Sequence, residues 1–442
     1  MAAFGETGAG SAGSETGGEM DKGSGAKAGN PAGGATGAAR LTAGRRLHAD
    51  RPFWAATPHI RVAAAPGWSE GVFDAVIVGT GISGALMADA LADGRRRVLV
   101  VDRRRPVRGS TLASTAMIQH EIDLPLFDLA RRIGRAKAER AWRRSVRAVA
   151  DLGTRIADLG IACDFRPKQA LYLAGDSYGG RALALEAEAR TAAGIAHELL
   201  PAAMLRERFG LDRTAAILSS ASASANPAQM TAGLLRAALA RGAELAAPVE
   251  ITDLDEAGGR VALATATGRL ILARQVVFCT GYEFLPCMQS RAHRITSTWA
   301  LASAPGVPRP GWLDDMLVWE GSDPYLYFRS TRDGRIIAGG EDEDDPEAYR
   351  DPARMRRNLA RICEKLADLT GISISPAYGW AAPFGNTTDG LPIIDRIPGM
   401  DLGHAVMGFG GNGITYSMIA AQIVAARIAG RADPDEDLFR FR

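Results

Sequence analysis

Val76-Ile77-Val78 runs without a gap into Gly79-Thr80-Gly81-Ile82-Ser83-Gly84, which opens a stretch whose apolar residues recur at helical spacing. Strand, tight turn and helix are therefore specified in one continuous segment. Gly79 permits the turn, Gly81 lets the backbone approach a pyrophosphate, and Gly84 lets the helix pack closely on the strand. The helix start, with Ile82 and Ser83, offers unpaired N–H groups to the phosphates. The helix is expected to end near Asp93-Gly94, and Val98 to Val101 forms a second strand with Asp102 at its end, 23 residues after Gly79. That carboxylate can accept both hydroxyls of an adenosine ribose. Glycine-rich turns also serve plain turn geometry, but the complete βαβ context assigns this one to a dinucleotide. NAD and FAD share the adenosine half, so the motif leaves the choice between them open.

A second turn bears on that choice. Gly408 to Gly413 leads into a helix in which Ile414, Met418, Ala421 and Ala425 share a face, with Gly430 as its C-terminal cap. A nicotinamide cofactor has one pyrophosphate to hold, whereas FAD has in addition an isoalloxazine edge that becomes negative on reduction. The positive end of a helix suits such an edge by roughly 0.3–2 kcal/mol. The bland alternative is that Gly408, Gly410, Gly411 and Gly413 only allow close packing of the last helix. Between the two turns, Gly109, Ser110, Thr111, Ser114 and Thr115 form a hydroxyl-rich loop, suited to phosphate or ribityl contacts but equally readable as a turn-rich connector.

The remaining chain constrains class more than chemistry. Its 442 residues allow a sizeable core, and 52 basic against 50 acidic residues give a net charge of +2, which asks for neither nucleic acid nor an anionic membrane. With no membrane-length apolar run and no secretory signal layout, the expectation is a cytoplasmic protein. Cys163, Cys279, Cys287 and Cys363 lack metal or disulfide spacing, and no metal site is expected. The run from Glu341 to Glu347 also lacks the spacing of a calcium loop and reads as a solvated turn. The arginines at 95–97 and 103–105 read as a solvated rim.

The expected architecture is α/β: a Rossmann-like domain with a central parallel sheet, carrying an inserted, mostly antiparallel α+β substrate domain. Residues 1–45, with 13 glycines and 11 alanines, are expected to be a disordered tail. The dinucleotide domain is assigned to 46–124, 222–286 and 377–442, and the substrate domain to 125–221 and 287–376. Within these, helices are expected over 125–153, 180–193 and from Pro227 with Asn226 as N-cap. Two short strands should flank a turn at Arg166-Pro167, and a three-stranded meander should end in a central strand over 275–279. "RITSTWALAS", "MLVWEG", "YLYFRST" and "RIIAGGEDED" read as strands of a second sheet.

Taken in order, the first glycine motif, "NPAQMTAGLLRAALARGAEL", "VVFCTGY", "IIAGGEDED", "TTDGLPIID" and "GFGGNGIT" resemble the D-amino-acid oxidase-like FAD-dependent oxidoreductases, the group that includes glycine oxidase and monomeric sarcosine oxidase. The resemblance spans about Pro52 to Arg442. It implies FAD as cofactor, Val249 at the adenine, Thr280 and Gly281 close to the cofactor, and Gly410, Gly411, Asn412, Gly413, Ile414 and Thr415 approaching the flavin. Arg103 joins Asp102 at the adenosine side. The chain departs from the family pattern in informative ways. Ala382 falls where relatives carry a flavin-linking cysteine or a carboxylate-binding arginine, so the FAD is expected to be non-covalent. Ile337 falls at an oxygen-activating lysine, Thr415 at a carboxylate-binding lysine, and Gln119 at an arginine that meets substrate or flavin.

The expected activity is oxidation of a C–N bond in an amine or N-substituted amino acid, with O2 or another carrier as electron acceptor. Rival readings are oxidation of a 2-hydroxy acid or other C–OH substrate, a nicotinamide-only dehydrogenase, and a flavin-binding subunit without its own turnover. Gln119, His120, Tyr327 and Thr415 are the candidate catalytic residues; His120 is also readable as a structural hydrogen-bonding residue. Tyr325, Tyr282 and Tyr416 are candidate pocket residues. Arg329 and Arg332 could supply a replacement clamp for a substrate carboxylate.

Overall fold

The computed structural model describes residues 41, 42 and 44–442. The expectation of a disordered tail therefore falls largely outside the described residues. Its last part needs correcting, because Thr42 is buried and the Arg45 N–H donates to Glu283 Oε1 at 2.7 Å.

Three sheets carry the described chain. The parallel sheet has six strands in the order Ile393–Arg396, Gly403–Met407, Val276–Phe278, Ala75–Val78, Val98–Val101 and Glu244–Ala246, with Ile393–Arg396 antiparallel at one edge. Its central strands are continuous apolar runs because both faces are covered. The helices Ile82–Leu91, Pro227–Ala240 and Gly413–Ile428 enter the same hydrophobic core as Ile77 and Val100. On the opposite face lies a four-stranded sheet, Val72–Phe73, Leu270–Ala273, Arg260–Thr265 and Ile251–Ala257, which shares a core with Val76, Leu99 and Phe278.

The third sheet has nine strands and is mostly antiparallel. Pro376–Thr387, His293–Ser303, Ile336–Glu343, Leu326–Ser330, Met316–Glu320, Arg166–Leu173, Ala215–Ser224 and Met117–Ile118 lie in that order, and His197–Pro201 also pairs with Ala215–Ser224. The helix Pro352–Thr370 packs on it through Met355, Leu359, Ile362 and Leu366.

The expected elements largely stand, with local corrections. Asn226 Oδ1 accepts from the N–H groups of Ala228 and Gln229, and Pro227 opens the helix as expected. The first helix ends at Leu91, slightly earlier than expected. Arg166 and Pro167 do not form a turn but start the single strand Arg166–Leu173, since Pro167 sits at a strand beginning. The last meander strand is two strands, broken at Arg274-Gln275, because Leu270–Ala273 and Val276–Phe278 belong to different sheets. The boundary placed at 376/377 moves to about residue 387: Pro376–Thr387 pairs along its length with His293–Ser303.

Candidate active site

One cavity of about 540 Å³ lies where the C-terminal ends of the parallel strands meet the large sheet. Thr42, Arg103 and Val249 border one part of it. Gly79, Gly81 and Thr111 border the middle, and Tyr327, Asp342 and Ala382 border the other end. This is the location that open α/β sheets reserve for ligands.

The first glycine turn is built by close backbone approach. Gly79 has φ +118°, and a Cβ there would lie 2.3 Å from the Cys279 carbonyl oxygen; a Cβ on Gly84 would lie 1.9 Å from the Gly79 carbonyl oxygen. Gly84 thus serves helix packing and does not line the cavity, whereas Gly81, Ile82 and Ser83 do. Thr111 Oγ1 accepts from the Ile82 N–H at 2.9 Å and stands 3.1 Å from where a Cβ on Gly81 would be.

Asp102 is fixed at the strand end. Its Oδ2 accepts from the Thr80 N–H at 2.8 Å and the Thr80 hydroxyl at 2.6 Å, and its Oδ1 from the Arg104 N–H at 2.8 Å. The arginines that follow are not a solvated rim throughout. Arg104 makes a bidentate pair with Glu283 at 2.8 and 2.6 Å, and Arg103 donates to the Thr42 hydroxyl and lies 3.6 Å from Glu250.

The hydroxyl-rich loop is no ordinary connector. Three buried donors hold three successive carbonyls from behind: Trp380 Nε1 to Ala113 at 2.8 Å, Trp54 Nε1 to Ser114 at 2.6 Å, and Arg329 Nε to Thr115 at 2.9 Å. Ser110, Thr111, Ser114 and Thr115 all line the cavity, as do Thr280 and Gly281 across it. Arg329 also donates to the carbonyls of Ser330 and Ala225. Burial lowers it to about 10, but its donors are spent on backbone and it does not reach the cavity. Arg332 is exposed and lies outside the lining. Neither supplies the carboxylate clamp.

At the second glycine turn, Gly410, Gly411, Asn412, Gly413 and Ile414 line the cavity. The anion that meets this helix start within the protein is Asp123, whose Oδ2 accepts from the Gly411 N–H at 2.8 Å. Gly410 has φ +54°, and a Cβ on it would lie 2.1 Å from Asp123 Oδ2, so glycine is what admits the carboxylate. Asp123 is exposed toward the cavity, and desolvation by the surrounding walls raises it to about 6, against the lowering effect of the Gly411 N–H.

A β-bulge places a second carboxylate. Opposite Thr298, the strand Ile336–Glu343 holds both Glu341 and Asp342, and Gly340 and Glu341 have positive φ. The extra residue turns Asp342 into the cavity. Asp342 Oδ2 accepts from the Tyr325 hydroxyl at 2.9 Å, while its Oδ1 is buried without a partner. Burial raises it to about 6, with a contribution from the Asp123 charge and against the Tyr325 hydrogen bond and the nearby Thr298 hydroxyl. The solvated-turn reading of Glu341 to Glu347 therefore fails at its first two residues: Glu341 is buried and paired with Lys365 and Arg361. Burial, then the Asp342 charge, also raises the hydroxyls of Tyr325 and Tyr327.

Of the four candidate catalytic residues, Gln119 and Tyr327 line the cavity and two do not. His120 is fully buried, 3.6 Å from Glu121 and edge-on to Trp142, and burial lowers its pKa, so it is a neutral packing residue. The Thr415 hydroxyl is spent on the Gln119 carbonyl at 2.8 Å and ties the last helix to the loop. Tyr282 lines the cavity; Tyr416 does not, and its hydroxyl donates to the carbonyl of Gly390, a lining residue. Ala382 faces the cavity as expected, whereas Ile337 is buried and does not. Sequence reasoning missed Asp123 and Asp342. Among the described residues no group of side chains could hold a metal ion.

This combination, a dinucleotide cradle opening onto a large antiparallel sheet, defines a two-domain flavoenzyme-type oxidoreductase. Residues 74–427 match the family of DAO, FAD dependent oxidoreductases, and the chain belongs to it. It is 23% identical over 369 residues to a probable oxidoreductase, OrdL, of Haemophilus influenzae, with 81% of this chain and 83% of that protein covered. Among solved structures it is similar to glycine oxidase from Geobacillus kaustophilus, with a TM-score of 0.70, 19% identity, and 84% and 99% of the two chains covered. L-proline dehydrogenase from P. horikoshii gives 0.70 and 19%, covering 84% and 97%. Iminodiacetate oxidase from Chelativorans gives 0.65 and 21%, covering 83% and 98%.

Proposed function

We propose that this FAD-dependent oxidoreductase dehydrogenates the C–N bond of an amine or N-substituted amino acid. One observation carries the reading: the end of the cavity beyond the hydroxyl loop presents carboxylates and tyrosines, and among the described residues lining that end there is no histidine or cation, Arg103 and Arg104 lying at the adenosine end. Oxidising an alcohol requires a group able to take the hydroxyl proton. Carboxyls raised to about 6 meet that requirement as well as a histidine would, so the choice rests on the amine, whose lone pair drives hydride loss without a base. The three solved relatives above are named for amino-nitrogen substrates, which supports the same choice.

The residues fit FAD. Asp102, Arg103 and Val249 would hold the adenosine, Gly81, Ile82, Ser83 and Thr111 the pyrophosphate, and Ser114, Thr115, Thr280 and Gly281 the ribityl chain. Gly410 to Ile414 would meet the isoalloxazine. When bound, FAD supplies a two-electron acceptor at N5. The substrate C–H bond breaks with its electron pair, the nitrogen sheds a proton and a C=N bond forms. Water then adds to the imine and releases a carbonyl compound and an amine. The proton would leave to water or to whichever of Asp342 and Asp123 is then ionised. We further propose that FAD is held non-covalently, because Ala382 offers no thiolate and burial pushes the Cys279 thiol up to about 12.

Anaerobic bleaching of the flavin against amines, amino acids and hydroxy acids tests the reaction class. Reduction by hydroxy acids and by no amine would refute it.

A further inference from the structure

The same end of the cavity constrains the substrate further, on the premise that an amine is oxidised. Its lining cations among the described residues, Arg103 and Arg104, are both engaged at the adenosine end. At the other end no cation among the described residues lines the cavity, and the unmatched acceptors stand beside two unmatched neutral donors, Gln119 Nε2 and Trp319 Nε1. Asp342 Oδ1 is buried without a donor. Asn386 Oδ1 is in the same condition: Thr296 donates its hydroxyl proton to the Phe384 carbonyl, so it must accept from Asn386 Nδ2, which leaves the amide oxygen free. Asp123 adds a second carboxylate, close enough for its charge to act on Asp342.

The walls are aromatic. Tyr172 and Trp319 stack with ring centroids 3.9 Å apart, and Tyr325 and Tyr327 lie 5.7 Å apart; all four line the cavity. Two carboxylates and an amide oxygen in a cavity that also presents aromatic faces are surroundings that suit a desolvated ammonium. They would also keep such a nitrogen protonated, and a protonated amine has no lone pair to drive hydride loss. A single nitrogen cannot both satisfy the carboxylates and react.

We propose that the substrate is an organic cation with two nitrogens: one, protonated, is held by Asp342 and Asp123, and the other reaches the reacting position neutral. A diaminoalkane is the simplest such compound. A substrate carboxylate would instead face Asp123 and Asp342, which repel it.

The test uses the FAD-loaded full chain and measures anaerobic flavin reduction by 1,3-diaminopropane, 1,4-diaminobutane and 1,5-diaminopentane, each against the monoamine of equal length. The best diamine is expected to exceed its monoamine at least tenfold in reduction rate over Kd. Asp342→Asn should remove that advantage with FAD content unchanged, and Asp342→Glu should keep most of it. Equal diamine and monoamine in the wild type, or an unchanged ratio in Asp342→Asn, overturns the proposal. If Asp342→Asn fails to hold FAD, Asp123→Asn carries the same comparison. If no amine reduces the flavin, the C–N reading fails, and the cation site is judged by titrating the flavin spectrum with tetramethylammonium. Binding weakened tenfold in the Asn variant supports the site; no binding to wild type refutes it.

Discussion

Replacing Asp342 by Asn keeps an acceptor for the Tyr325 hydroxyl but removes the ability to ionise, and this should make the protein more stable in a pH-dependent way. Burial lifts the carboxyl from 3.8 to about 6 in the folded protein, with the Asp123 and Asp323 charges adding to the effect. A folded pKa above the unfolded one means that the native state holds a proton the unfolded state has already lost between about pH 4 and pH 6. Stability therefore falls across that window and stays lower above it. The full difference corresponds to about 3 kcal/mol. At about 2.1 cal/mol/K of unfolding entropy per residue over roughly 400 residues, that is a shift of about 3–4 °C in Tm. Thermal unfolding of FAD-saturated wild type and Asp342→Asn, followed by tryptophan fluorescence, should coincide near pH 4. The variant should unfold higher by that amount above pH 7. Parallel curves across the range would show that Asp342 does not titrate in the window and would remove the account of a strained, acceptor-rich pocket. A tetraalkylammonium salt should narrow the gap at pH 8 by stabilising only the wild type.

Other outcomes follow from separate parts of the site. Gly81→Val should abolish FAD retention, since its Cβ would sit 3.1 Å from Thr111 Oγ1 in the pyrophosphate cradle; a folded variant with stoichiometric FAD would remove that assignment. Acid precipitation should leave the yellow colour in the supernatant, and a flavin peptide in the pellet would place a covalent link at another residue. A chain starting at residue 46 should lose FAD more readily on gel filtration than one starting at residue 41, because Thr42 and Arg45 brace Arg103, Arg104 and Glu283; equal retention would refute this. Sarcosine should be a poorer substrate in kcat/KM than a matched amine without the carboxylate, because Arg329 is committed to three backbone carbonyls. A tenfold preference for sarcosine would reveal a clamp elsewhere.

The two halves of the cavity differ in how far the sequence discloses them, and the difference is physical. The cofactor half is made by local chemistry: a glycine turn, the helix it opens and the strand-end aspartate lie within Val76–Asp102, so spacing alone predicts which groups converge. The substrate half is made by pairing between distant segments. Asp342 reaches the cavity because one strand carries a bulge opposite Thr298, which no local pattern in an acidic, turn-like run announces. Asp123 arrives because Gly410, 287 residues later, leaves room for it. His120 and Thr415 show the converse: polar residues at promising positions were drawn into packing and a helix tie, where burial favoured a neutral ring and a satisfied hydroxyl. Arg329 is the sharpest case, because a buried arginine beside the cavity invites a substrate-binding role, yet it donates to three backbone carbonyls, those of Thr115, Ser330 and Ala225. Its guanidinium fixes the loop from behind, and the loop's hydroxyls face the cofactor site as a consequence. Arg329→Ala should therefore be read out first as loss of FAD affinity, with substrate selectivity little changed in the protein that remains loaded.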